Sequence, residues 1–267
     1  MMPELRLAVL MPVYNPGEAL HETLASLRAQ TVPFRLYLVD DGSRAKPDYR
    51  ALTQDMDCRI IELPYNVGVT RALNAGLKVV LEEGLPLIAR MDNGDLCHPR
   101  RFAEQTRYLE QNPDIAMVGS WVTFSYPRHG YEFTTRYPDT APGCARFLRY
   151  NTPIIDTSMM VRAEVFRTVG DYPPEYPAAE GYALELMANA AGYRMLNLPE
   201  VLLTAVELKE SLSRDQRAAQ LQSRLRLQWR YRVWHDIHSW LGMARTLALM
   251  VLPITMIRRI KKAVKIS

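Results

Sequence analysis

The sequence predicts an α/β fold, and three observations support this prediction. Short apolar runs alternate with helical patterns through residues 1–92. Asn, Asp and Gly, which favour turns, follow several of these runs. Apolar residues make up 48% of the 267 residues and charged residues 23%, which is typical of folded proteins and excludes wholesale disorder. Because strands alternate with helices, right-handed crossovers should join the strands into a parallel sheet.

Four apolar runs in this first part predict strands, and apolar residues at helical spacing predict the helices between them. The predicted strands are Leu7–Val13, 34–39, 59–63 and 87–91. Apolar residues recur at helical spacing over residues 20–27 and 69–80, and a further helix is expected from Pro99. Asn15 is expected to cap the first of these helices, with proline following it at the first helical position.

After residue 112 the pattern changes to longer, more antiparallel strands. The predicted strands are Ile115–Tyr126, 131–137, 158–161 and a last edge strand over 195–198, with a helix over 182–191. The complete sheet is therefore expected to be mixed.

The cysteines and the N-terminus favour an intracellular setting. Cys58, Cys97 and Cys144 form an odd, scattered set without C-x-x-C spacing, which argues against a disulfide framework or a zinc knuckle. The N-terminal apolar run lacks a basic leader and a small-residue cleavage site, so it predicts a strand rather than a signal peptide.

Positive charge is concentrated at the C-terminus. From Arg214 onward the chain has 12 Lys and Arg against 2 Asp and Glu, a local charge of +10, whereas residues 1–213 carry −6. Trp and Leu residues interleave with these arginines, a pattern typical of helices that lie on anionic membranes. The alternative is a helix packed on the main domain with its basic face in solvent. No nucleic-acid partner is expected, because the acidic body would repel phosphates.

Acidic residues follow two of the predicted strands at the point where each strand ends. Asp40 and Asp41 follow the second strand, and Asp92 and Asp95 follow the fourth. Ligands of parallel sheets bind at the carboxyl ends of the strands, so these side chains predict one shared site, although ordinary turn residues are the alternative. Because clustered carboxylates repel one another, such a site calls for a divalent metal that carries a diphosphate. The sequence has no GxGxxG after the first strand and no P-loop.

Several motifs, taken in order, resemble those of family 2 glycosyltransferases. Residues 11–15, 39–43 and 66–68 are MPVYN, VDDGS and NVG, which look like the family's opening motifs. Residues 89–95, ARMDNGD, resemble its metal-binding DxD region, and residues 179–182, AEGY, match the region of its catalytic base. The resemblance implies a GT-A type, Rossmann-like mixed sheet flanked by helices, with a C-terminal helical basic appendage.

The resemblance also implies an activity. It indicates an inverting glycosyltransferase that moves a sugar from a nucleotide diphosphate, expected to be a UDP-sugar, to a saccharide or lipid-linked saccharide in surface polysaccharide synthesis. It assigns Mn²⁺ or Mg²⁺ to Asp92 and Asp95. Asp41 is expected to accept a hydrogen bond from the base, which favours the N–H of uracil or thymine. For Arg71 the alternative is a solvated position on its helix. The residues assigned to the nucleotide are Pro12, Tyr14, Asp40, Asp41, Asn66, Arg71 and Asp92.

Three departures from the family pattern affect the expected chemistry. Gly94 stands where the family has a metal-binding carboxylate, Gly181 stands where it has the general base, and Asp156 replaces a histidine. Glu180 is therefore expected to be the general base, with Asp156 as the next candidate. The alternative for Glu180 is a structural role in which it accepts hydrogen bonds at the start of the helix over 182–191. The alternative is a catalytically degenerate protein that binds a nucleotide sugar or scaffolds a partner enzyme, because a general base contributes on the order of 10²–10⁴ in rate.

The resemblance divides the chain into a GT-A domain, residues 1–210, and a helical basic tail, residues 211–267. Within the domain, residues 1–97 form the expected nucleotide-binding half and residues 98–210 the acceptor half. The expected partners are the nucleotide sugar, the acceptor and an anionic membrane surface contacted by residues 211–267. The expected location is cytoplasmic, peripheral at the inner face of the cell membrane.

Overall fold

The computed structural model describes residues 6–206 and 214–252. The strands in these residues are β1 (Leu7–Val13), β2 (Arg35–Asp40), β3 (Cys58–Glu62), β4 (Leu87–Arg90), β5 (Leu96–Cys97), β6 (Ile115–Tyr126), β7 (Tyr131–Thr135), β8 (Met160–Arg162) and β9 (Arg194–Val206). The helices are α1 (Ala19–Arg28), α2 (Tyr49–Leu52), α3 (Val69–Glu83), α4 (Arg101–Gln111), α5 (Ala141–Phe147), α6 (Ala163–Val169), α7 (Glu180–Ala190), α8 (Arg214–Arg230) and α9 (Ile237–Val251).

The strands form one mixed sheet in the order β3-β2-β1-β4-β8-β6-β9-β5, and β7 pairs with β6. The first four strands of the chain are parallel to one another, as the alternation of strands and helices predicts. β8 joins this part to β6 through antiparallel pairing on both of its sides. Every residue of β1 is buried, which explains its continuous apolar sequence.

The predicted helical stripes are confirmed. Leu20, Leu24 and Leu27 of α1 are buried against the sheet, and α3 buries Leu73 and Leu77 in the same core. The cap expected from Asn15 is wrong. Asn15 adopts a left-handed φ of 45°, and its side-chain oxygen accepts from the backbone N–H of residue 44 at 2.9 Å. Its side chain therefore ties the loop after β1 to the loop after β2.

The edge strand expected over residues 195–198 is also different. β9 has 13 residues and lies between β6 and β5. The register shifts where Ser120 pairs with Leu198 and the next residue of β6 pairs with Val201, so that residues 199 and 200 bulge out of the ladder. Because residues 199 and 200 are outside the ladder, Pro199 can occupy an interior strand, and β9 continues to Val206.

The C-terminal segment is helical, as predicted. α8 packs on α7, where Leu227 joins a second apolar cluster with Leu148 and Tyr182. α9 packs back on α8 and approaches the loop after α5 so closely that a Cβ on Gly242 would lie 2.6 Å from the Cα of Tyr150. The predicted boundary at residues 210 and 211 falls outside the described residues. Within the described ranges, no helix is both long enough and apolar enough to cross a membrane.

Candidate active site

The loop after β2 is held by Asp40. Its buried carboxylate accepts from the hydroxyl of Tyr49 at 3.0 Å and from the backbone N–H of Ser43 at 3.2 Å, and it pairs with Lys46 at 3.0 Å. Burial acts to raise the pKa of Asp40, but the hydrogen bonds from Ser43, Lys46 and Tyr49 prevail and lower it. These contacts are all internal to the protein, so they support the shape of the loop.

Asp41 joins the loop after β2 to the loop before α3. One carboxylate oxygen accepts from the backbone N–H of Val67 at 2.7 Å and the other from that of Gly68 at 3.0 Å. Gly42 allows this approach, because a Cβ there would lie 2.3 Å from the carbonyl carbon of Tyr65. Each oxygen of a carboxylate has a second lone pair, so Asp41 keeps acceptor capacity for a ligand.

The remaining residues assigned to the nucleotide line the same edge of the sheet. Tyr14, directly after β1, is 44% exposed, and Asn66 and Arg71 are exposed beside the start of α3. Pro12 is buried within β1, where it pairs with Val39 of β2. The fold therefore brings the ends of β1, β2 and β3 together around one open edge.

Arg90 is a buried cation between two of the predicted carboxylates. Its side chain is 3% exposed, and it lies 2.8 Å from an oxygen of Asp92 and 3.1 Å from an oxygen of Asp156. Burial alone would lower the pKa of Arg90, but the two carboxylates raise it above its usual value. Arg90 thus connects the end of β4 to the single turn of 3-10 helix that precedes β8.

Gly94 and Asp95 form a tight turn next to this cation. Gly94 has a φ of +98°, and its N–H donates to the hydroxyl of Thr23 at 2.8 Å. An aspartate would be strained in this conformation. Asp95 is buried, and burial together with the charge of Asp92 raises its pKa to about 7.

The residues present fit a metal that is shared with a diphosphate. The side chain of Asp92 is 43% exposed, and Asp95 is buried in the same turn. In residues 6–206 and 214–252, no three His, Cys, Asp or Glu side chains are grouped as a metal cage. Mg²⁺ is commonly held by one or two carboxylates plus substrate phosphates rather than by a full protein cage. Asp92, with Asp95 behind it, suits that arrangement.

Glu180 and Asp156 face each other across the start of α7. Glu180 is the first residue of α7, and its pKa is raised to about 7 by burial and by the charge of Asp156. Burial also raises the pKa of Asp156. One oxygen of each carboxyl group is buried without a hydrogen-bond partner among the described residues. Unpaired buried acceptors are costly, so this pair suits a ligand that brings hydroxyl groups.

Gly181 is required by the side chain of Asp156. A Cβ at position 181 would lie 2.8 Å from the unpaired oxygen of Asp156 and 2.9 Å from its Cβ. Positions 156 and 181 therefore share the space of one side chain, and Asp156 fills it. A carboxylate at position 156 therefore leaves no room for one at position 181.

Two residues of this site were not assigned from the sequence. Arg90 had a signal, since it is the one charge within an otherwise apolar strand. Tyr172 had no such signal. It is buried, and its pKa is raised by burial and by the negative charge of Asp156. Its backbone N–H and C=O form two hydrogen bonds with the side-chain amide of Asn74 on α3. Asn74 thereby fixes the loop before α7 against α3.

Comparison with known proteins gives consistent results. The model of the family described as "Glycosyl transferase family 2" matches residues 8–170. The amylovoran biosynthesis glycosyltransferase AmsE of Erwinia amylovora is 31% identical over 202 residues, which cover 73% of this chain and 74% of AmsE. An Escherichia coli UDP-Gal:alpha-D-GlcNAc-diphosphoundecaprenol beta-1,3-galactosyltransferase is 25% identical over 78% of this chain and 77% of its own length.

Solved structures share the fold. Staphylococcus aureus TarS 1–349 in complex with UDP-GlcNAc superposes with a TM-score of 0.67 at 16% identity, over 91% of this chain and 72% of that chain. The mannosyltransferase PcManGT of Pyrobaculum calidifontis, in complex with GDP-Man and Mn²⁺, gives a TM-score of 0.62 at 16% identity, over 98% and 81% of the two chains. The predicted GT-A type fold is confirmed.

Proposed function

Because the chain belongs to glycosyl transferase family 2 and is a glycosyltransferase, we propose that it moves a sugar from a UDP-sugar to a saccharide or lipid-linked saccharide, with inversion. The observation that best supports this reaction is the set of carboxylates around Arg90. Asp92 follows β4 and is 43% exposed, Asp156 lies in the 3-10 turn before β8, and Glu180 is the first residue of α7. The site therefore offers acceptors both for a metal with a diphosphate and for the proton of an attacking hydroxyl.

In this proposal the reaction is a single displacement. The acceptor oxygen attacks the anomeric carbon, the bond from that carbon to the diphosphate breaks, and the hydroxyl proton passes to Glu180. A carboxylate with a pKa near 7 is well matched to take a proton at neutral pH. Asp156 favours this role, because its negative charge makes Glu180 more basic.

A divalent ion, Mn²⁺ or Mg²⁺, would be held by Asp92 and Asp95 together with the donor phosphates. It would supply positive charge to the departing diphosphate. Arg90 holds Asp92 in place through an ion pair of 2.8 Å. For the base, Asp41 supports uracil, since a carboxylate accepts from its N–H and would repel an edge that presents only acceptors.

The acceptor is proposed to be a growing surface polysaccharide, free or on a lipid carrier. Two comparisons support this choice: AmsE is named for amylovoran biosynthesis, and the E. coli relative for a diphosphoundecaprenol-linked substrate. The basic residues 211–267, with a charge of +10, would hold the enzyme peripherally at the inner face of the cell membrane, where such an acceptor would lie.

The test is a panel of nucleotide sugars with Mn²⁺, with Mg²⁺ and with a chelator, measured by nucleotide release and by thermal shift. UDP-sugars should bind and turn over when the metal and a lipid-linked acceptor are present, and the chelator should abolish turnover. The glycines at 94 and 181 favour one second candidate, a degenerate binding or scaffolding protein. Binding without turnover across the panel would support that candidate, and no response to any nucleotide sugar would refute both.

A further inference from the structure

Helix α9 is inverted: its polar and small residues face the protein, and its apolar residues face outward. The buried positions are Ser239, Gly242, Met243 and Thr246. The exposed apolar positions of the opposite face recur at helical spacing, and they are Ile237, Trp240, Leu241, Ala244, Leu247, Ala248 and Val251; Arg245 and Met250 are also exposed. An amphipathic helix in water normally shows the reverse arrangement.

Specific contacts fix this orientation. The hydroxyl of Thr246 donates to the side-chain oxygen of Gln228 on α8 at 2.8 Å, and Ser239 accepts from the backbone N–H of Val233 at 3.1 Å. Gly242 packs directly on the backbone of Tyr150, where no side chain would fit. Rotating α9 to hide its apolar face would break all three contacts, so the exposed face is part of the folded structure.

The apolar face continues onto α8 through an open groove. A cavity of about 590 Å³ lies between the two helices. Its lining is almost wholly apolar and consists of Leu225, Arg226, Trp229, Trp240, Met243, Ala244 and Leu247. Next to it, the guanidinium of Arg232 lies 3.9 Å from the ring centre of Trp229 and 4.2 Å from that of Trp234. Large exposed apolar surfaces of this kind mark interaction sites.

The charge around this face indicates what covers it. Residues 214–252 contain seven arginines and two aspartates, and of these arginines Arg226 lines the groove and Arg232 lies beside it. Asp236, one of the two, is already paired with Arg149 and with His238. The partner must therefore be apolar within and anionic at its surface. A second copy docked through this same face would place arginines against arginines, whereas the interface of an anionic bilayer satisfies both requirements.

We propose that the outward faces of α8 and α9 form a docking surface for an anionic lipid bilayer, with the apolar face of α9 buried among the lipid chains. At ~1.5 Å per residue, the 15 residues of α9 would extend ~22 Å along the plane of the interface. In this position Trp229, Trp234 and Arg232 would lie at the level of the lipid head groups, where aromatic rings are favoured and arginine can contact phosphates. This deepens the proposed function and rests on it for its purpose, since a lipid-linked acceptor would be presented at the same surface.

The experiment compares the full chain with Leu241→Gln/Leu247→Gln. These side chains are 57% and 50% exposed, so the change should not affect folding, and glutamine leaves the charge unaltered. Val201→Gln, at a 36% exposed position in β9, is the matched control. Flotation is measured with vesicles of phosphatidylcholine alone and of phosphatidylcholine mixed with phosphatidylglycerol, at low and high salt, and each protein is checked for UDP binding by thermal shift.

The wild type and the control should float with the anionic vesicles, and less so as salt rises. The double variant should lose about tenfold or more in partitioning for each leucine, with unfolding temperature and UDP binding unchanged. Equal flotation of the double variant and the wild type would overturn the proposal. The proposal would also be overturned if the wild type does not bind anionic vesicles. That includes the case in which the wild type is a dimer and the double substitution makes it monomeric. Vesicle binding without any nucleotide response would refute the proposed function and leave the docking surface standing.

Discussion

Substituting Gly181 by alanine tests the packing that places Asp156 in the site. Gly181 lies in the first turn of α7 and does not have a left-handed φ, so its backbone does not require glycine. What excludes a side chain is the neighbour: a Cβ would lie 2.8 Å from the unpaired oxygen of Asp156, 2.9 Å from its Cβ and 3.0 Å from its Cγ. These separations are shorter than van der Waals contact allows.

Two effects of opposite sign set the magnitude for Gly181→Ala. Alanine in a helix is favoured over glycine by about 1 kcal/mol. Overpacking against a fixed neighbour costs about 1–3 kcal/mol. The variant should therefore lose about 0–2 kcal/mol of unfolding free energy. In an Asp156→Gly background, where all three contacts are gone, the same change should gain about 1 kcal/mol.

The assay is urea unfolding of the two single variants and the double variant, followed by circular dichroism. The coupling energy of this cycle should be about 1–3 kcal/mol. Asp156→Ala is the matched intermediate, because it removes the oxygen and Cγ contacts but retains the Cβ contact, so its coupling energy should be smaller. If Gly181→Ala stabilises the protein equally in all three backgrounds, the shared-space argument is wrong.

Two further predictions concern the chemistry. Glu180→Gln should lower turnover on the order of 10²-fold or more while UDP binding persists, because the amide keeps the size but loses basicity. A carboxyl group with a pKa of about 7 is in its basic form above that pH, so wild-type turnover should rise as the pH increases through 7. A pH profile without this rise, or near wild-type turnover in Glu180→Gln, would show that Glu180 is not the general base. Asp41→Ala should weaken UDP binding about 10–100-fold by calorimetry, since a hydrogen bond to a charged group is worth about 1.5–3 kcal/mol. Asp41→Asn is the control for loop geometry, because its amide oxygen still accepts from one of the two backbone N–H groups. Equal UDP affinity in the wild type and both variants would contradict the assignment.

The first half of the fold could be predicted because its signals are local. β1, β2 and β4 are almost wholly buried, so each contains an unbroken apolar run, with charged residues only at the ends of β2 and β4, and α1 and α3 each have one apolar face. β9 could not be predicted at full length, because Pro199 and Glu200 resemble a turn. Pairing with β6 along most of its length, pairing with β5 near its end, and the bulge that absorbs these two residues keep the strand intact.

In the candidate site, too, the sequence predicts what depends on local signals and misses the contacts between distant residues. The sequence places carboxylates after β2 and β4, since the ends of parallel strands meet at one edge. It does not give their pairing: Arg90 and Asp156 are 66 residues apart, and their 3.1 Å contact depends on how β8 is inserted beside β4. The exclusion of a side chain at 181 is likewise a contact between distant parts of the chain.

The basic appendage and the proposed base are linked through α7. Tyr182, two residues after Glu180, donates to the carbonyl of Leu148 at 2.7 Å, and its ring lies 5.4 Å from the guanidinium of Arg224 on α8. Deleting residues 211–267 would uncover this ring and its apolar cluster, so stability and turnover should fall together with vesicle binding. Substitutions on the outer face of α9 leave those contacts in place. Loss of vesicle binding in such a variant, with α7 undisturbed, separates attachment to the membrane from the chemistry at Glu180, which a truncation cannot do.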